Sequence, residues 1–171
     1  MKSLTDHLSQ YASYHRDPRN IATHFVGIPM IVAAVVILLS RPVMADAGAG
    51  IPLSPAVAAS LLTALYYVRL DLRLGFVMAA LLAATVVLGA WAAAQSTTVW
   101  LWLGLGGFVT GWVIQFIGHV FEGRKPAFLD DVTGLIIGPL FVLVEALFLF
   151  GILPQLRQQI EANAGKVRRS R

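Results

Sequence analysis

Five apolar runs, at residues 21–40, 52–69, 74–95, 98–120 and 132–153, take up most of this 171-residue chain. Each is close to the ~20 residues that an α-helix needs to cross the hydrocarbon of a bilayer. Inside a bilayer, backbone N–H and C=O groups must be satisfied within the segment itself, so runs of this length admit helices and little else. Composition agrees: 57% hydrophobic residues, 13% charged and a mean hydropathy of +0.74 are too apolar for a soluble domain of this size. The chain reads as one integral-membrane domain over 1–171. Its expected fold is all-α, a multi-span bundle of four crossing helices with a kinked or re-entrant fifth and an N-terminal interfacial helix.

The boundaries follow from local chemistry. Leu4, Leu8, Tyr11 and Tyr14 form one apolar stripe on a short, otherwise polar helix. Asp17-Pro18 suits an N-cap with a first-turn proline, so a new helix starts there and carries Asn20 and His24 one turn apart. Arg41-Pro42 ends the first run, a Gly/Pro stretch at 48–55 leads to the second, and Arg69 to Arg73 make a tight polar link to the third. The third run is alanine-rich and the fourth glycine-rich, which lets neighbouring helices approach closely. Gly138-Pro139 is expected to kink or break the fifth. Ala45-Asp46-Ala47 resembles a cleavage site, but the twenty polar residues before the first run include acidic groups and make a poor signal n-region.

Counting the crossings joins two distant polar clusters. If the first run leaves one face of the membrane, the end of the fourth returns to it, which brings His24 and His119 to the same side. That side also receives Lys2, Arg16, Arg19, Arg69, Arg73, Arg124 and Lys125, whereas the opposite loop holds Arg41, so the positive-inside bias makes it cytoplasmic. Five full crossings would strand the basic tail, 157–171, outside; a re-entrant fifth run broken at Pro139 avoids this. The net charge of +4 comes mostly from arginines near run ends, which suits anionic lipid headgroups and not nucleic acid. With no cysteine there is no disulfide or thiolate chemistry.

Gln115, His119 and Glu122 project from one helical face. His15, Asn20 and His24 precede or open the first run. Ionisable groups within apolar runs are functional candidates by default, although histidines bonded across helices would serve a purely structural role. His7 has no comparable neighbours, and Glu145 in the fifth run is either a partner of a site residue or a structural hydrogen-bonding group. Three imidazoles and a carboxylate, His15, His24, His119 and Glu122, are the candidate metal ligands and catalytic groups, a set that suits iron, zinc or manganese. Zinc-activated hydrolysis, haem ligation by two histidines, and a non-enzymatic scaffold or transporter subunit stay open on spacing alone. Serine-nucleophile and nucleotide-binding motifs are absent.

Tyr14-His15, Pro18, Asn20, His24 and Pro29, then Gly111-Trp112, Gln115-Phe116, Gly118-His119, Glu122, Pro126-Ala127, Pro139 and Glu145 together resemble the Mpo1-like family, from about residue 8 to 156. The resemblance implies an Fe(II)-dependent dioxygenase that uses O2 to shorten a 2-hydroxy fatty acid by one carbon. It implies His15, His24, His119 and Glu122 around the iron, with Asn20, Gln115 and Glu145 orienting ligands or substrate. Arg16, Arg19, Arg124 or Lys125 would receive the substrate carboxylate, since an arginine fork matches it. The yeast member lies in the endoplasmic reticulum. In this chain the excess of arginine over lysine and the abundant alanine point to a bacterial inner membrane; the oligomeric state is left open.

Overall fold

A computed structural model describes residues 2–46 and 52–168. Residues 47–51, with the glycine-rich part of the first linker and Ala47 of the cleavage-like triplet, lie outside the described residues, as do 169–171 of the basic tail. The fold is helical. The helices are α1 (Leu4–Ala12), α2 (Pro18–Leu39), α3 (Pro55–Leu70), α4 (Leu72–Ala93), α5 (Thr97–Leu101), α6 (Gly107–Glu122), α7 (Gly134–Leu149) and α8 (Pro154–Ala164). A π-helical segment, Trp102–Gly106, joins α5 to α6, and a 3-10 turn, Ala127–Leu129, precedes α7. Ala45–Asp46 and Pro52–Leu53 pair as a two-residue antiparallel ladder. By contacts the chain divides into two compact units, residues 1–28 with 112–171, and residues 29–111.

The helix starts are set by side chains that satisfy free N–H groups. Ser3 and Asp6 form a reciprocal capping box at α1. Asp17 Oδ1 accepts from Arg19 N at 2.9 Å, so Asp17 caps α2 with Pro18 in the first turn. Asp71 is both the end of α3 and the cap of α4, accepting from Leu74 N at 2.8 Å.

In the unit of residues 29–111, this one-residue link forces α3 and α4 into close contact. A Cβ on Gly75 would lie 2.4 Å from Val68 Cα, so only glycine fits there. Gly104 in the π-helical turn lets α2 come close: its Cβ would lie 2.5 Å from Leu38 Cδ2, a side-chain contact that Leu38 would have to shift to relieve. Trp100 Nε1 donates to Ile37 O at 2.8 Å, and the Arg41 guanidinium lies over the Trp100 ring at 4.7 Å. Phe76, Leu81, Val87 and Trp91 of α4 are exposed, as expected of a face turned to lipid.

Among the described residues, three helical segments are long and apolar enough to cross a membrane: α2, α4 and the continuous stretch Thr97–Glu122. A fourth is the pair α7 and α8 if taken as one bent span. The second apolar run is shorter than the sequence suggested, because 52–53 are extended and Pro55 opens a helix of 16 residues. At 1.5 Å per residue that is about 24 Å, short of a ~30 Å hydrocarbon layer.

In the unit of residues 1–28 and 112–171, the apolar stripe of α1 is buried: α1 packs on α7 and α8, with Leu8 and Ala12 fully covered. The fifth apolar run does bend, but not at Pro139, which α7 passes without a break. The break falls at residues 150–153, where Gly151 (φ 71°) and Leu153 (φ 60°) take left-handed backbone and the axis turns by 118° into α8. Pro139 is the sixth residue of α7, past the first turn, so it forgoes one i→i−4 hydrogen bond while the helix runs on through it. The left-handed turn, in contrast, admits no helix continuation. After α8 the chain runs back to Arg16: Arg16 Nη1 donates to Gly165 O, and Arg168 N donates to Arg16 O.

Candidate metal centre

The site is built from the turn after α1, the first turns of α2 and the last turns of α6. Chain direction at each place follows from sequence. The turn leaving α1 is closed by His15 N donating to Ala12 O at 2.9 Å. The His15 ring then stacks on Tyr11 (centroids 4.2 Å, planes 9° apart), and its Nδ1 lies 2.7 Å from Tyr11 O. His24 repeats the device one helical turn after Asn20, with Nδ1 2.8 Å from Asn20 O. A carbonyl oxygen can only accept, so both Nδ1 atoms carry the proton and both Nε2 atoms keep their lone pair.

The three imidazoles converge. Ring centroids are 4.4 Å apart for His15 and His24, 5.1 Å for His15 and His119, and 5.2 Å for His24 and His119. One nitrogen from each can be chosen so that all three lie within 4.8 Å of one another. All three residues are buried, and His15 Nε2 and His119 Nδ1 have no hydrogen-bond partner. Buried nitrogens left unpaired are costly unless something occupies the space between them. Metal–nitrogen bonds of about 2.1 Å place two ligands on one ion some 3–3.5 Å apart, so a small contraction of this trio would accommodate an ion. The donor set therefore fits a metal. Burial holds the His15 pKa well below the usual 6.5, with the neighbouring His24 adding to the effect; the ring stays neutral, the form that ligates.

Glu122, expected at the metal or beside it, is buried next to the trio and organises the start of α2. Its Oε2 accepts from Arg16 N (2.9 Å), Asp17 N (2.8 Å) and Asn20 Nδ2 (3.1 Å). The grouped metal donors among the described residues are the three histidines, without this carboxylate. Asn20 Oδ1 and Gln115 Nε2 are buried with no partner, one unspent acceptor and one unspent donor. Thr23, which carried no weight in the sequence, donates to Asn20 O at 2.7 Å and lies 3.5 Å from His24 Nδ1.

The four basic candidates all have local partners. Arg16 is buried and spans His15 O, Gly165 O and Glu145 Oε1. That ties Glu145 to the site through Arg16. Arg19 pairs with Asp17, which holds that carboxyl down to about 2, and lies over the Phe121 ring. Arg124 donates to Ser13 O, and Lys125 pairs with Asp130. Arg168, in the basic tail, was missed: its Nη2 lies 3.2 Å from Glu122 Oε1. Tyr11, an apolar position in the sequence, stands four residues before His15, the spacing that produces its carbonyl contact.

The family model for 2-hydroxy-palmitic acid dioxygenase Mpo1-like proteins matches residues 1–149. The chain belongs to the Mpo1-like family. It is 31% identical over 160 residues to the 2-hydroxy-palmitic acid dioxygenase MPO1 of Saccharomyces cerevisiae, an alignment covering 92% of this chain and 87% of the yeast protein. No solved structure matches it. Both His-bearing segments of this Mpo1-like chain, 15–24 and 115–122, fall inside the matched range, while α8 and the tail lie beyond it.

Proposed function

We propose that this chain is a membrane-embedded, Fe(II)-dependent dioxygenase that cleaves the C1–C2 bond of a 2-hydroxy fatty acid with O2 and leaves an acid one carbon shorter. The observation that supports this most is the buried trio of imidazoles, each presenting a nitrogen toward the other two. The yeast relative's name supports the substrate class. In this reading His15, His24 and His119 hold the iron, which supplies O2 activation and positions on which a 2-hydroxy acid can chelate.

The remaining residues orient. The carbonyls of Tyr11 and Asn20 fix the tautomers of His15 and His24. Glu122 locks the turn between them to α6 through three donors. Asn20 Oδ1 would accept from the substrate hydroxyl and Gln115 Nε2 would donate to its carboxylate, a reading supported by both atoms being buried without a partner. The acyl chain stays in lipid, along the exposed Phe116 and Val120 of α6.

The test is metal analysis of anaerobically purified protein followed by incubation with a long-chain 2-hydroxy fatty acid. One iron per chain, O2 consumption and release of the shortened acid are expected. His24→Ala and His119→Ala should each lose the metal and at least about 100-fold in rate. Turnover that proceeds equally well without O2, or variants that keep the metal and change only stability, would overturn the reading.

A further inference from the structure

The tail after α8 is anchored on the site and not beside it. Gly165 O takes a hydrogen bond from the buried Arg16 guanidinium at 2.9 Å, and Arg168 N returns one to Arg16 O at 2.8 Å. These two bonds hold the Arg168 side chain over Glu122, whose own side chain is fully covered. α8 fixes the tail from the other end through the buried Ile160 and through Asn163 Nδ2, 3.3 Å from Ser9 Oγ.

The contact between Arg168 and Glu122 is one of charge. Nη2 and Oε1 are 3.2 Å apart, yet Oε1 has no hydrogen bond, so no N–H is aligned on it. A guanidinium has five N–H donors in a rigid fork, and here the side chain is 53% exposed. It is therefore a cation held at the edge of the histidine site with its donors unspent. The other four basic residues near the site are occupied by carbonyls or carboxylates, as described above.

We propose that Arg168 is the headgroup-specificity residue, a fork that receives the carboxylate of an anionic single-chain lipid as that lipid enters the histidine site from the membrane. This rests on the reading of the site as one for a 2-hydroxy fatty acid. The incoming carboxylate takes the unaligned N–H groups in a bidentate pair, while the charge contact with Glu122 keeps the fork in place. Residue 168 lies outside the 1–149 range matched by the family model.

Equilibrium binding in detergent micelles, with a radiolabelled long-chain 2-hydroxy acid and with its methyl ester, tests this without turnover. Arg168→Gln should weaken the acid by about ten- to hundredfold and leave the ester unchanged, and Arg168→Lys should recover part of the loss. Lys166→Gln, an exposed neighbour, should bind like the wild type. Iron content should not move in any of these variants; Arg168→Gln should lower the thermal midpoint, because it removes the cation beside the buried Glu122, and Arg168→Lys should restore it. Equal weakening of acid and ester, or acid binding unaffected by Arg168→Gln, would overturn the proposal. In the turnover assay, Arg168→Gln should raise KM for the acid and leave kcat within about twofold. A wild type that binds the acid through Arg168 but does not shorten it would sink the dioxygenase reading and leave the headgroup assignment standing.

Discussion

His15 shows how much a single side chain can carry here. Its Nδ1–H is spent on Tyr11 O, its face on the Tyr11 ring, and its Nε2 is buried and open. Burial depresses its pKa in the folded protein below the 6.5 that an unfolded chain would show. The sign follows: below about pH 6.5 the unfolded chain binds a proton that the folded one refuses, so stability is complete above that pH and falls as the pH drops. The slope contributed by one such histidine is at most about 1.4 kcal/mol per pH unit. Thermal midpoints of the metal-free protein should decline from pH 7 toward 5, and the decline should be shallower in His15→Gln. Identical profiles for the two proteins would show that His15 is not held neutral by burial.

At the scale of elements, the site depends on how closely α2 and α6 approach. Gly118 is the contact point: a Cβ there would lie 2.0 Å from Thr23 Oγ1 and 2.5 Å from Asn20 Oδ1. Thr23 in turn holds the Asn20 carbonyl that fixes His24. Gly118→Ala should therefore push α2 away and loosen the His24 side of the site. Overpacking of this kind costs about 1–3 kcal/mol. A lower thermal midpoint together with a lower metal occupancy is expected. Thr23→Ala in the same chain should restore part of both by removing the clashing hydroxyl. If the double variant is no better than Gly118→Ala alone, the clash is not with Thr23. The glycine-rich fourth run announced close packing, but the partners of two of its glycines, Leu38 for Gly104 and Thr23 for Gly118, came only from the fold.

For the whole molecule the question is which ends of the chain share a side. The start of α2, the end of α6 and the tail after α8 all meet at Arg16 and Glu122. The bend after α7 is what permits this, because a straight fifth crossing would carry Arg168 to the opposite face. Reporters fused to the N-terminus and after Arg171 should be read on one side of the membrane, and one inserted after Val43 on the other. Excess basic residues at the first two positions favour the cytoplasm for that side. Opposite readings for the two termini would contradict the return of the tail.

The helical membrane class, the helix start at Asp17, and the pairing of the His24 and His119 ends by counting passages are legible in the sequence. These are consequences of run length, side-chain caps and parity, all local or additive along the chain. The fold alone decided that the fifth run turns at Gly151 and Leu153 and not at Pro139: one forgone hydrogen bond leaves a packed helix intact, whereas left-handed backbone ends it. It decided that Glu122 spends its Oε2 on the backbone of Arg16 and Asp17, since which donors surround a buried carboxylate depends on the helix that happens to face it. It also brought Arg168 to the site. No pattern in residues 157–171 points there; the placement follows from a 118° bend and two hydrogen bonds to Arg16 formed across more than a hundred residues of sequence.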